Sequence, residues 1–284
     1  MNNYEKLEGM VAATFTPLDE NGDVNLSVID KYADWIASTP IKGVFVCGTT
    51  GEFSSLTIDE RKLILEKWLV SARKRFKVIA HVGSNCQRSA MELARHAAQV
   101  GADAIASIAP SFFKPGTVDE LVDFFAPICH SAAGLPFYYY NMPSITGVNL
   151  PVDKFLVEGK KKIPNLVGTK FTHNNLMEMG VCIELEQHRF EVLHGYDEIL
   201  ISGLAMGAVA GVGSTYNYIP NVYQAIFDSM KMNDLETARH NQIKSIRTVE
   251  VIIKYGGGVR GGKAIMKLIG IDCGSCRLPI TFFC

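Results

Sequence analysis

A lysine stands inside the otherwise apolar run Leu166-Val167-Gly168-Thr169-Lys170-Phe171-Thr172. If that run is a β-strand, alternation puts Gly168, Lys170 and Thr172 on one face. Burying an ammonium there is costly. Either Lys170 snorkels to solvent or pairs with a carboxylate at the strand end, or it is a nucleophile. Roughly one free lysine in a thousand is neutral near pH 7.4. Desolvation lowers a lysine pKa and frees the lone pair to attack a ketone. Thr172 would then point into the same cavity.

Other runs offer complementary groups. In Phe137-Tyr138-Tyr139-Tyr140-Asn141-Met142-Pro143 the three phenol hydroxyls all need partners. A tyrosine facing a cavity could pass protons to and from a substrate. Val46-Cys47-Gly48-Thr49-Thr50-Gly51-Glu52 places two hydroxyls and turn N–H groups between glycines. Such a turn can hold an anion, or its threonines can satisfy their own backbone. Gly195-Tyr196-Asp197-Glu198 could bind a polyhydroxylated ligand or open a helix, where acidic residues favour the dipole. Gly211-Val212-Gly213-Ser214-Thr215 ends a further apolar run.

These residues need a scaffold that gathers the ends of many strands. Eight short apolar runs recur, at 11–17, 43–48, 77–82, 104–110, 136–143, 166–172, 190–197 and 208–215. Helical stretches such as 57–74 and 89–100 alternate with them; in the second, Met91, Leu93, Ala94, Ala97, Ala98 and Val100 form a stripe of period near 3.6. Strands alternating with helices imply parallel strands joined by crossovers, covered on both faces. Eight units predict an α/β fold, a (β/α)₈ TIM barrel. A doubly wound sheet would usually carry a glycine fingerprint after its first strand, whereas Thr16-Pro17-Leu18-Asp19 has none. The barrel is expected over 1–232, with a C-terminal helical extension over 233–284 packed on it. Helices are expected at 222–232, 234–254 and 263–268. The glycine-dense Tyr255-Gly256-Gly257-Gly258-Val259-Arg260-Gly261-Gly262 lacks the P-loop pattern and reads as a flexible connection.

Composition narrows the function class. The 284 residues are 48% hydrophobic and 20% charged, which excludes a disordered chain. The net charge of −1 gives no basic excess for nucleic acid or anionic membranes. Seven scattered cysteines fit a reducing cytosol better than a disulfide framework. Cys273 and Cys276 form a C-x-x-C with no second pair, so a closed zinc site is not expected. The N-terminal MNNYEKLEG lacks the apolar run of a signal peptide, and no run of about 18 apolar residues suggests a membrane span. The expected partners are a small molecule and further copies of the chain.

Taken in order, Gly48-Thr49-Thr50-Gly51-Glu52, Tyr140-Asn141-Met142-Pro143 with Thr146-Gly147, and Gly168-Thr169-Lys170 resemble the dihydrodipicolinate synthase / N-acetylneuraminate lyase family of pyruvate-dependent class I aldolases. Gly195-Tyr196-Asp197-Glu198 and Gly213-Ser214-Thr215-Tyr216-Asn217 resemble its sialic acid-cleaving members. The resemblance runs from about Val11 into the C-terminal part. It implies a barrel with a helical extension, usually a homotetramer, with no cofactor beyond an imine on lysine. It implies a lyase of sialic acid degradation, with N-acetylneuraminate, pyruvate and N-acetylmannosamine as small-molecule partners. By the same resemblance Lys170 forms the Schiff base, Tyr140 assists proton transfer, and Thr49 and Thr50 hold the pyruvate carboxylate. Thr172, Gly195, Asp197, Glu198 and Ser214 would line the sugar end. Two other readings stand beside this one: an aldolase for another 2-keto-3-deoxy sugar acid, and a silent barrel that only binds a keto acid. The synthase branch usually has an arginine where this chain has Ile145, and paired tyrosines where it has Phe112 and Phe113. Both departures speak against aspartate semialdehyde as substrate.

Overall fold

In the computed structural model, which describes residues 4–132 and 134–281, the eight apolar runs become eight parallel strands. They are β1 (Gly9–Ala13), β2 (Gly43–Val46), β3 (Lys77–His81), β4 (Ala104–Ile108), β5 (Phe137–Asn141), β6 (Leu166–Phe171), β7 (Glu191–His194) and β8 (Ala210–Gly213). Their order is sequential and closed, the (β/α)₈ barrel. The helices are α1 (Ser27–Ala37), α2 (Ile58–Ala72), α3 (Gln87–Val100), α4 (Val118–Ser131), α5 (Pro143–Thr146), α6 (Val152–Lys162), α7 (Leu176–Glu184), α8 (Leu200–Ala205), α9 (Pro220–Lys231), α10 (Leu235–Lys254) and α11 (Gly258–Leu268). Single 3₁₀ turns lie at Phe53–Ser55, Asp197–Ile199 and Thr215–Asn217. No helix among the described residues is long and apolar enough to cross a membrane. Cys284 and the first three residues of the N-terminal stretch lie outside the described residues.

The strands stop earlier than the apolar runs do. Beyond Val46 the backbone leaves the sheet, with Cys47 at φ 54° and Glu52 at φ 56°. The residues of each run that follow its strand lie at the C-terminal ends of the strands, where such barrels carry their chemistry.

The chain folds as two compact units. One comprises the segment ending at Glu8, Ile79–Tyr196 and Ser202–Gly211. Its helix layer is aromatic: Phe125 of α4 lies 5.4 Å from Phe137, 5.5 Å from Tyr139 and 5.8 Å from Phe155 of α6 between ring centroids. Phe137 and Tyr139 therefore face the helices, and alternation turns Tyr138 and Tyr140 to the opposite, inner face. Register carries that assignment onward. Tyr138 pairs with Gly168 and Tyr140 with Lys170; Gly168 pairs with Glu191 and Lys170 with Leu193.

The other unit comprises Gly9–Val78, Asp197–Ile201 and the chain from Val212 onward. Here α2 starts on a capping box: the Thr57 hydroxyl accepts from Glu60 N–H, and the Glu60 carboxylate accepts from Thr57 N–H. Asn217 ties β8's exit to β1 and α1. Its amide donates to the carbonyls of Ala13 and Ser214, its side-chain oxygen accepts from Tyr32, and its own carbonyl accepts from Trp35.

The glycine-dense segment differs from the expected flexible connection. Gly256 and Gly257, at φ 87° and 101°, make the turn, and α11 already begins at Gly258. Close packing explains the remaining glycines. A Cβ on Gly262 would come within 2.3 Å of the Phe15 ring, and one on Gly261 within 3.1 Å of the Ile252 backbone. Helix propensity argues against glycine here, but tertiary fit outweighs it.

Candidate active site

In the first unit, parallel register brings Lys170 of β6 beside Tyr140 of β5. Lys170 is 4% exposed, and its Nζ sits 4.1 Å from the centroid of the Tyr140 ring. The Tyr140 hydroxyl donates to Met142 Sδ at 3.0 Å. Edge-on to the same ring, 5.9 Å between centroids, lies the buried His81 of β3. Gly83 makes room for it, since a Cβ there would stand 2.7 Å from His81 Nε2.

Thr172 follows β6, its N–H bonded to the Asn141 carbonyl. It is buried, and its hydroxyl has no hydrogen-bond partner among the described residues. An unsatisfied buried hydroxyl is costly, and a ligand could supply the missing partner. Gly195, just past β7, is obligatory for that geometry: a Cβ would fall 2.0 Å from Thr172 Oγ1.

Deeper on the same strands, the Glu191 carboxylate accepts from Tyr138 Oη at 3.0 Å and Leu7 N at 2.9 Å. Burial pushes its carboxyl above the usual range. Burial and the Glu191 charge together push the Tyr138 phenol up. Tyr4 also touches the Tyr138 hydroxyl. Gly168, between these layers, could carry no side chain, because a Cβ would meet the Glu191 carbonyl at 2.0 Å.

In the second unit, half-buried Thr49 and Thr50 occupy the turn after β2. The turn is closed by Glu52 N–H on the Thr49 carbonyl and Phe53 N–H on the Gly48 carbonyl. Neighbouring Cys47 is a rival nucleophile by residue type, but burial pushes its thiol up to about 11, which makes it a poor thiolate source.

Asp197 opens the 3₁₀ turn that also holds half-buried Glu198. Its Oδ2 accepts from both the N–H and the hydroxyl of Thr215, at 2.9 and 2.6 Å. Its carbonyl accepts from Gln242 and Ser245 of α10. The Thr215 hydroxyl also meets Tyr223, which in turn meets Ser245. Gly213 admits this carboxylate, since a Cβ would fall 1.8 Å from Asp197 Oδ1. Half-buried Ser214 precedes the Thr215–Asn217 turn.

Of the residues singled out from sequence, Lys170, Tyr140, Thr172 and Gly195 are gathered in one unit, and Thr49, Thr50, Asp197, Glu198 and Ser214 lie on turns of the other. Sequence reasoning passes over His81, Glu191 and the α10 clamp on Asp197. His81 and Glu191 are visible as polar residues in apolar runs; the clamp has no local signal. Among the described residues, no group of three or more His, Cys, Asp or Glu is arranged to hold a metal, and six cysteines, including Cys273 and Cys276, are free thiols.

Residues 6–283 match the model of the dihydrodipicolinate synthetase family. Mouse N-acetylneuraminate lyase is 43% identical over 280 residues, covering 97% of this chain and 88% of the mouse one. Proteus mirabilis N-acetylneuraminate lyase superposes with a TM-score of 0.96 at 36% identity, covering 99% and 94% of the two chains. A Ruminococcus gnavus sialic acid aldolase, solved as a catalytic lysine mutant, superposes with a TM-score of 0.95 at 27% identity, covering 100% and 93%.

Proposed function

Because the chain belongs to the dihydrodipicolinate synthetase family, we propose that it is a Schiff-base aldolase cleaving N-acetylneuraminate to pyruvate and N-acetylmannosamine. The observation that carries this reading is the buried Lys170 amine lying over the Tyr140 ring. Relatives named N-acetylneuraminate lyase, similar over nearly the whole chain, support the choice of substrate.

Lys170 Nζ attacks the C2 ketone of the open-chain sugar acid, and loss of water leaves a protonated imine. The imine draws the electron pair of the C3–C4 bond toward nitrogen as the C4 hydroxyl loses its proton. N-acetylmannosamine leaves, and an enamine remains. Protonation at C3 and attack of water release pyruvate and regenerate the amine. Tyr140 is assigned the proton transfers, and Thr49 and Thr50 the carboxylate, beside the developing charge. Thr172, Gly195, Asp197, Glu198 and Ser214 are assigned the sugar. Lysine supplies the electron sink, so the chemistry calls for no metal or organic cofactor. The family resemblance supports a homotetramer, and the scattered cysteines support a cytosolic setting.

Product analysis tests the activity. Incubation with N-acetylneuraminate should yield equimolar pyruvate and N-acetylmannosamine; no turnover of it, with turnover of another 2-keto-3-deoxy sugar acid, would refute the substrate assignment. Aspartate semialdehyde should condense with pyruvate poorly, because Ile145 offers no donor to a second carboxylate.

A further inference from the structure

The turn bearing Thr49 and Thr50 is held by a buried ion pair. Glu52, which closes the turn, is 4% exposed, and Lys263 of α11 is 1% exposed. Lys263 Nζ lies 2.7 Å from Glu52 Oε1, a charge contact rather than an aligned hydrogen bond. Lys263 also donates to the Ser275 carbonyl at 2.6 Å. Glu52 Oε2 accepts from the backbone N–H of Arg277 at 2.9 Å. The Arg277 side chain then grips the Glu60 carboxylate and the carbonyls of Gly22 and Ser55. The Gly51 carbonyl is fixed separately by the Thr16 hydroxyl, at 2.7 Å.

Stability alone is a poor reason for this arrangement. Desolvating two charges offsets much of their attraction, and an apolar pair is often as stable. The Glu52 backbone is left-handed, at φ 56°, a conformation uncommon for a residue with a side chain. Backbone strain of this kind persists where the surroundings over-determine it, often at functional sites. What the pair provides is a fixed position for the two threonines just before it. We propose that Glu52 and Lys263 are positioning residues that hold the Thr49–Thr50 turn in register to grip the keto-acid carboxylate.

The proposal rests on the aldolase reading, and the test separates the two. Pyruvate is trapped on the full chain with borohydride at graded concentrations, alongside thermal melting. Three variants are compared with wild type: Glu52→Gln, which removes the charge but keeps an acceptor for Arg277 N–H; Lys263→Met alone; and the double variant Glu52→Leu with Lys263→Met, which removes both charges. The pyruvate concentration for half-maximal trapping should rise roughly tenfold or more in the double variant, because small misplacements of positioning groups weaken productive binding steeply. Glu52→Gln should fall between. Trapping at saturating pyruvate should change little, and the double variant should melt closer to wild type than the single Lys263→Met variant does. Half-maximal concentrations equal to wild type in the variants that fold would overturn the proposal, and Glu52→Gln alone decides it if the double variant does not fold. Failure of wild type itself to form an adduct would overturn the aldolase reading instead.

Discussion

Among the described residues two lysines are almost fully buried, and they are buried differently. Lys263 faces a carboxylate at 2.7 Å and a carbonyl at 2.6 Å. Lys170 lies with its amine over an aromatic face at 4.1 Å. The first arrangement neutralises a charge and ties the amine down from two sides. An aromatic face attracts a cation far less than an ion pair does. On the aldolase reading proposed above, the same residue type serves as a fixed strut in one place and as a reagent in the other. Burial alone therefore does not identify a catalytic lysine; the chemistry of its neighbours does.

Methionine at each position separates the roles most sharply. Lys170→Met should lower turnover of N-acetylneuraminate by on the order of a thousandfold or more, with a smaller loss of stability than Lys263→Met shows. Lys263→Met should instead leave Glu52 buried without its counter-ion, costing about 3–5 kcal/mol of stability. Steady-state kinetics and thermal denaturation of both variants check the contrast; equal stability losses would erase it.

Asp197 sharpens the comparison because it combines both kinds of role. Its carboxylate is bonded by Thr215 and its carbonyl by α10, yet it is also assigned to the sugar. Asp197→Asn should cost about 1–3 kcal/mol and slow cleavage, while pyruvate alone still forms its adduct. A variant that melts early but cleaves the sugar normally would make the residue purely structural.

The smallest effect concerns Arg277. It holds the Glu60 carboxyl down from its ordinary 4.5 to about 2. Because the folded pKa is depressed, the stabilisation is fully present above about 4.5 and is lost as pH falls toward 2. Glu60→Gln should cost about 1 kcal/mol near neutral pH, because the pair is only partly shielded from solvent and the amide keeps an acceptor for Thr57 and Arg277. The difference from wild type should fade across that acid range in denaturant titrations. A difference independent of pH would show that the carboxylate charge contributes nothing.

The strands are readable in the sequence because each is a local apolar run bounded by turn residues. Lys170 and Tyr140 are readable for the same reason, as polar groups in such runs. The facing direction of Tyr140 becomes certain only through the Phe125–Tyr139 contact and the Tyr140–Lys170 register. Glu52 stands in a recognisable motif without a role of its own there, because its partners Lys263 and Arg277 lie more than two hundred residues along the chain and no local pattern links them. The glycines of α11 mislead because propensity is a local rule, whereas Phe15 and Ile252 set their size from elsewhere.

The most direct test of the account is the site of imine formation. Pyruvate and borohydride should leave one permanent adduct, with the mass of a reduced pyruvate imine, and peptide mapping should place it on Lys170 and leave Lys263 unmodified. An adduct on Lys263 or another lysine, or none at any pyruvate concentration, would contradict the assignment of Lys170 as the reagent and Lys263 as the strut.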